Sequence, residues 1–270
     1  TWRITQVTNG NPNLTPEKAD TFSLGAVLKP SFLPGFSMSL DYYNIKIDDV
    51  LGTPLPGDII SACFDGLSAA SATDPACTSI RRNPITGGLD GDPATTPGLF
   101  GTTNNQGRLF TDGVDLLMNY NTDLGFASLD WSFVGNWTRS SKYNANPASS
   151  GSLNRECVGY FSVNCSFTGS IQPEFQTTTR ATFGVGDVDM SFLWRWIDAV
   201  QYEPAEVANG NGILEQFRNI PAEHYFDFTG RWKATENFSF TFTVQNLLDN
   251  KPFVVGNTAG STSFNSGNVF

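Results

Sequence analysis

The one histidine of this sequence, His224, sits inside an alternating run, with no nucleophile placed to use it. No Gly-x-Ser-x-Gly elbow, phosphate-binding loop or His-Glu-x-x-His segment occurs. Carboxylates are frequent, and a glycosidase pair has no fixed spacing to search for, yet no pattern singles one out. No catalytic residue is assigned, no enzymatic activity is expected, and neither a cofactor nor a metal is assigned.

The four cysteines fall into two close pairs, Cys63 with Cys77 and Cys157 with Cys165, each in a Gly/Ser/Asn-rich stretch. Such loop pairs predict disulfides and an oxidising compartment. Zinc is the competing reading, but neither pair has Cys-x-x-Cys spacing and His224 is remote in sequence. Asp90-Gly91-Asp92, with Asp65 and Asp74, offers oxygen atoms to calcium without the spacing of a calcium loop; a solvated loop is the plainer reading.

Groups able to hold a small molecule are set at strand spacing: Asp41, Tyr43, Asp115, Asp130, Arg180, Arg195, Asp227 and Arg231. They are candidate ligand contacts facing a water-filled lumen, and the plainer alternative is that they solvate or brace a wall. Phe64, Phe100, Tyr143, Tyr160, Phe161 and Tyr202 fall in loops, where aromatics either stack on a ligand or pack among themselves.

The elements that would carry these residues show a period of two. Eight runs alternate, over 21–30, 36–47, 108–120, 126–138, 174–185, 188–198, 223–233 and 238–247. In the sixth, Val188, Met190, Phe192, Trp194 and Trp196 oppose Asp189, Ser191 and Arg195. Links within each pair of runs are short, whereas 48–107, 139–173 and 199–222 are long. Short links at one end and long ones at the other are the pattern of an outer-membrane barrel, and runs of about 9–11 residues are long enough to cross a bilayer with tilt. Trp137, Trp194, Trp196 and Trp232 are placed to form belts at its edges.

Composition agrees. Aromatic residues make up 13% of the chain and charged residues only 16%, which suits a surface part lipid and part water. No apolar run reaches the length of a transmembrane helix. A formal net charge of −10 with no basic stripe argues against nucleic acid.

Four segments carry a further signal: Asn11-Pro12-Asn13-Leu14-Thr15-Pro16-Glu17, Asp41-Tyr42-Tyr43, Gly113-Val114-Asp115 and Asn246-Leu247-Leu248-Asp249-Asn250-Lys251-Pro252. In this order they resemble the segment leading into a late barrel strand, the strand after it, a further strand and the near-terminal motif of one family, the TonB-dependent receptors of bacterial outer membranes. The resemblance implies an all-β fold, an antiparallel transmembrane β-barrel, with residues 1–270 supplying about eight strands of a 22-stranded wall. It further implies that the plug domain and the last strand lie outside this chain.

The expected function is uptake of a scarce nutrient, a carbohydrate or an iron-siderophore. Expected partners are outer-membrane lipid, the TonB complex acting through the plug, the small-molecule nutrient and a surface lipoprotein. Two other readings stand beside it: a self-contained eight-stranded barrel acting as anchor or adhesin, and a soluble β-sandwich binding module.

Overall fold

The computed structural model describes residues 6–7, 10–53, 56–64, 67–89, 98–101, 103–144, 154–161, 165, 171–203 and 215–253. Two compact units share the chain. The first holds Thr1–Asp20, Ile45–Phe110 and Lys142–Arg155; the second holds Thr21–Asn44, Thr111–Ser141 and Glu156–Phe270.

Eight long strands dominate: β1 (Lys18–Leu28), β2 (Phe36–Gly52), β3 (Asn104–Asp123), β4 (Ser128–Asn144), β5 (Phe175–Val185), β6 (Val188–Ile197), β7 (Glu223–Lys233) and β8 (Ser239–Val244). Their order in the sheet is their order in the sequence, so each strand lies beside the next; a short strand, Asn154–Glu156, adds to β4. The pairs β4/β5, β5/β6, β6/β7 and β7/β8 are all antiparallel. Gly186 takes φ +58° in the tight turn that joins β5 to β6, a conformation natural to glycine.

Register sorts the side chains onto two faces, because residues directly opposite each other share a face. Trp194 lies opposite Phe226, Phe192 opposite Phe228 and Trp232 opposite Phe240. That apolar face is not covered by a second sheet among the described residues: Phe192 is 49% exposed and Phe240 62%. A soluble sandwich would have buried both, so that alternative does not describe this sheet. Aromatic residues occur along the whole face, with Phe192 5.2 Å from Phe228 at mid-strand. Trp137 stacks on Phe175 at 6.0 Å, far from the short turns, and Trp232 stacks on Phe240 at 5.9 Å, near them.

Three strands outrun the expected alternation: β2 continues to Gly52, β3 begins at Asn104 and β4 reaches Asn144. Alternation is enforced only where one face is covered by apolar surroundings, while backbone pairing is free to continue past that zone. The last strand does the opposite, stopping at Val244 rather than 247. The chain turns at Asn246, with φ +51°. From that turn Leu247 N donates to Phe226 O at 2.6 Å and Asn250 Nδ2 to His224 O at 2.5 Å, completing β7 without a strand.

The link expected over 48–107 is not simply a loop. In the first unit it contains α1 (Pro56–Phe64), a 3-10 turn (Ala69–Thr73) and α2 (Pro75–Thr78). Gln6–Val7, Gly98–Phe100 and Ile80–Arg81 form a small sheet around fully buried Leu99. Period two cannot reveal α1; its signal is Ile59 and Cys63, buried at helical spacing behind Pro56 at the first helical position. Cys63 is bonded to Cys77 across 14 residues.

In the second unit, Tyr160–Phe161, Val200–Tyr202 and Asn219–Ile220 form another three-stranded sheet. Phe161, Val200 and Ile220 are fully buried there, with Ile171, Tyr202, Phe217 and Phe253 packed around them. Two long links therefore build one small core, beside which Cys157 is bonded to Cys165.

Truncating that core at Phe161→Ala should cost about 3–5 kcal/mol locally. Amide exchange at Gln201 and Tyr202 should rise while the β5/β6 ladder stays protected; unchanged exchange at Gln201 would show that the core does not hold these links. Removing the first disulfide by the double change Cys63→Ala, Cys77→Ala should cost about 3 kcal/mol in the α1–α2 region. Limited proteolysis should then cut between residues 56 and 78 with β5–β8 left intact.

Candidate functional site

The polar face of the second unit brings together the residues expected to line a lumen. Arg195 stands opposite Tyr225, Asp227 opposite Leu193, Arg231 opposite Asp189, and Arg180 opposite both Leu193 and Ser132. Asp130 lies opposite Thr182. These five therefore share one face with the polar residues of β4–β7. Asn136, opposite Gln176, extends the face to β2 and β3: its Nδ2 donates to Tyr43 Oη at 3.2 Å and to Asp115 Oδ1 at 2.7 Å. Asp41 is two residues from Tyr43 and accepts from the Ser39 hydroxyl at 2.5 Å.

Local packing fixes these groups. A Cβ at Gly113 would lie 2.5 Å from Tyr43 Oη, so only glycine lets the phenol lean across the neighbouring strand. Arg195 Nη2 reaches Asp227 Oδ2 at 3.2 Å, and its guanidinium lies 5.5 Å from the Tyr225 ring. Asp227 also accepts from Asn246 N at 2.8 Å, which ties the pair to the turn after β8. Arg180 Nη1 donates to Ser191 Oγ at 3.0 Å. Asp130 accepts from Asn121 Nδ2 at 2.6 Å. With the Arg195 side chain nearly half exposed, its ion pair is worth at most about 1 kcal/mol, so the arrangement presents hydrogen-bonding groups more than it stabilises the fold.

His224 lies three residues from Asp227, on the opposite, apolar face, where its Nδ1 accepts from the Trp194 indole at 3.2 Å. The imidazole and the carboxylates of the polar wall are thus on different sides of the sheet. A hollow of about 360 Å³ opens between Phe192, Trp194, Phe226 and Leu247, with largely apolar walls.

The loop aromatics divide. Phe161 is buried and Tyr202 meets it edge-on at 5.4 Å, while burial, and then neighbouring Glu203, push the Tyr202 phenol pKa up. Tyr143 is buried as well, and Tyr160 is half-buried. Phe100 lies 4.2 Å beneath the Arg81 guanidinium, and Phe64 is 51% exposed. Asp74 spends its carboxylate capping α2, accepting from Ala76 N at 2.8 Å; Asp65 and Asp90-Gly91-Asp92 lie outside the described residues.

Two structural groups lie outside the candidate set. Glu156 accepts from Ser141 N at 2.7 Å, Cys157 N at 3.1 Å, Val158 N at 3.2 Å and the Ser140 hydroxyl at 2.6 Å, anchoring the second disulfide. Asp112 and Arg139 form an ion pair with Tyr42 beside it. Its signal was visible: both charges stand at positions whose parity is apolar.

The search of curated proteins found no match. Solved structures do match. The ferric enterobactin receptor PfeA of Pseudomonas aeruginosa, in a mutant bound to enterobactin, shares 14% identity at a TM-score of 0.58, over 96% of this chain and 30% of that one. The siderophore receptor PirA of Acinetobacter baumannii shares 13% at 0.55, over 96% and 31%. The FrpB iron transporter of Neisseria meningitidis shares 11% at 0.53, over 90% and 29%. At such identities the likeness is one of fold, and the chain spans about three tenths of each receptor. The family model described as TonB dependent receptor-like, beta-barrel matches residues 3–247. A sheet polar on one side and exposed and apolar on the other is what that family builds in the outer membrane, and this chain belongs to it.

Proposed function

We propose that this chain is the strand-bearing part of an outer-membrane receptor that takes up a scarce nutrient, with outer-membrane lipid on its apolar face. The observation that carries the reading is the one-sided sheet: exposed Phe192 and Trp194 on one side, the polar row Arg180, Arg195 and Asp227 on the other. Energy coupling runs through a plug domain that engages the TonB complex, and a surface lipoprotein is a further candidate partner.

The ligand class this wall fits best is a neutral polyhydroxylated molecule, a carbohydrate. Its groups are carboxylates, amides and hydroxyls such as Asp41, Asp115, Asn136 and Tyr43; of its cations, Arg195 is paired with Asp227 and Arg180 is hydrogen-bonded to the Ser191 hydroxyl. A net charge of −10 does not favour an anionic ligand. An iron-siderophore is the second reading, favoured by the iron and siderophore receptors among the solved structures of similar fold.

The test is a strain lacking the full-length receptor, complemented and supplied with labelled oligosaccharide or labelled ferric siderophore. TonB-dependent uptake of oligosaccharide is the expected outcome; restored iron uptake alone would transfer the assignment to the second reading, and restoration of neither would refute both. For the membrane face, Phe192→Arg should cost about 2–4 kcal/mol in lipid vesicles and Asp189→Asn close to nothing. Equal losses in denaturant unfolding would contradict lipid contact at Phe192.

A further inference from the structure

Charged groups on a surface that faces hydrocarbon are costly, and the apolar face of the second unit carries a cluster of them. The apolar residues give way to polar ones on three adjacent strands: Tyr42 then Asn44 on β2, Val114 then Asp112 on β3, Trp137 then Arg139 on β4. From Leu129, the first outward residue of β4, to Arg139 is roughly 33 Å along the strand, or about 25 Å of height at a tilt near 40°. That is about the height of the apolar band, so Arg139 emerges at headgroup level, away from the short turns.

The geometry there is built. Arg139 donates to Asp112 Oδ2 through Nε at 2.8 Å and through Nη2. Tyr42 Oη donates to the same oxygen at 3.2 Å and accepts from Asn44 Nδ2 at 3.3 Å. The Asp112 side chain is fully buried while that of Arg139 is 59% exposed. Among the described residues, Asp112 Oδ1 has no hydrogen-bond partner and Arg139 Nη1 donates to no acceptor. The carboxylate thus holds the guanidinium from beneath and leaves its other edge turned outward, the planar fork that suits a phosphate. Just below, the stacked Trp137 and Phe175 continue the face along which acyl chains would lie.

We propose that Arg139, positioned by Asp112 and Tyr42, binds the phosphate of an anionic lipid in the leaflet away from the short turns. The occupant is a lipid because the cation stands at the upper edge of a hydrocarbon-facing surface, and anionic because the only exposed charge of the cluster is positive. The site rests on the family's membrane placement and not on the identity of the nutrient.

The experiment uses the full-length receptor in phosphatidylcholine nanodiscs containing a minor fraction of phosphatidic acid, with retained lipid read by native mass spectrometry. Wild type should retain phosphatidic acid in preference to phosphatidylcholine. Arg139→Gln should weaken that preference about tenfold, the scale of one lost charge-assisted bond, and Arg139→Lys should fall between. Since Arg139→Gln leaves Asp112 buried and unpaired, the double variant Asp112→Asn, Arg139→Gln is measured beside it, and nutrient uptake should be unaffected in both. Undiminished preference in the double variant overturns the proposal. So does binding of inorganic phosphate by wild type without any preference for phosphatidic acid, which would make the occupant a free anion.

Discussion

Every backbone donor and acceptor of a strand that crosses hydrocarbon has to be satisfied by a neighbouring strand, because lipid offers none. The architecture of this chain follows from that constraint. Eight strands in sequence order give each ladder its partner from the adjacent segment of chain, and short turns suffice at one end. Once pairing is fixed, period two gives each strand one apolar side and one polar side. Phe192 and Arg195, three residues apart, point to opposite faces from a single strand.

That two-sidedness explains which parts of the fold were legible in the sequence. Where one face is apolar throughout, a polar residue out of phase is costly, so Val188 to Trp196 can be read directly even with Leu193 on the polar side. Past that zone residues of both parities are buried, as Val50, Ser140, Ser141 and Tyr143 are, so no alternation marks the extensions of β2, β3 and β4. The helix at Pro56–Phe64 is hidden for a different reason: nine residues carry only about two and a half turns of period, too short to stand out from a long polar link. The end of β8 was misread because Asn246-Leu247 keeps the expected parity while its backbone has already turned.

The polar wall was legible as a set of residues and illegible as a network. Parity alone places Asp41, Tyr43 and Asp115 on one face. It does not show that Asn136 bridges the last two, or that Gly113 makes room for the phenol, since these depend on the register of β2, β3 and β4. Glu156 was invisible for a related reason: its four donors are mostly backbone N–H groups, which every sequence supplies and none advertises.

The turn at Asn246 has a mechanical side. The seams β4/β5, β5/β6 and β6/β7 each register ten residue pairs, whereas β7/β8 registers six, the remainder of β7 being finished by Leu247 and Asn250. A tug on the chain beyond Val244 would load the side-chain amide of Asn250, the Leu247 main-chain bond and the Asn246 amide on the Asp227 carboxylate before it reached any ladder. Of these four seams, this one would unzip at the lowest force.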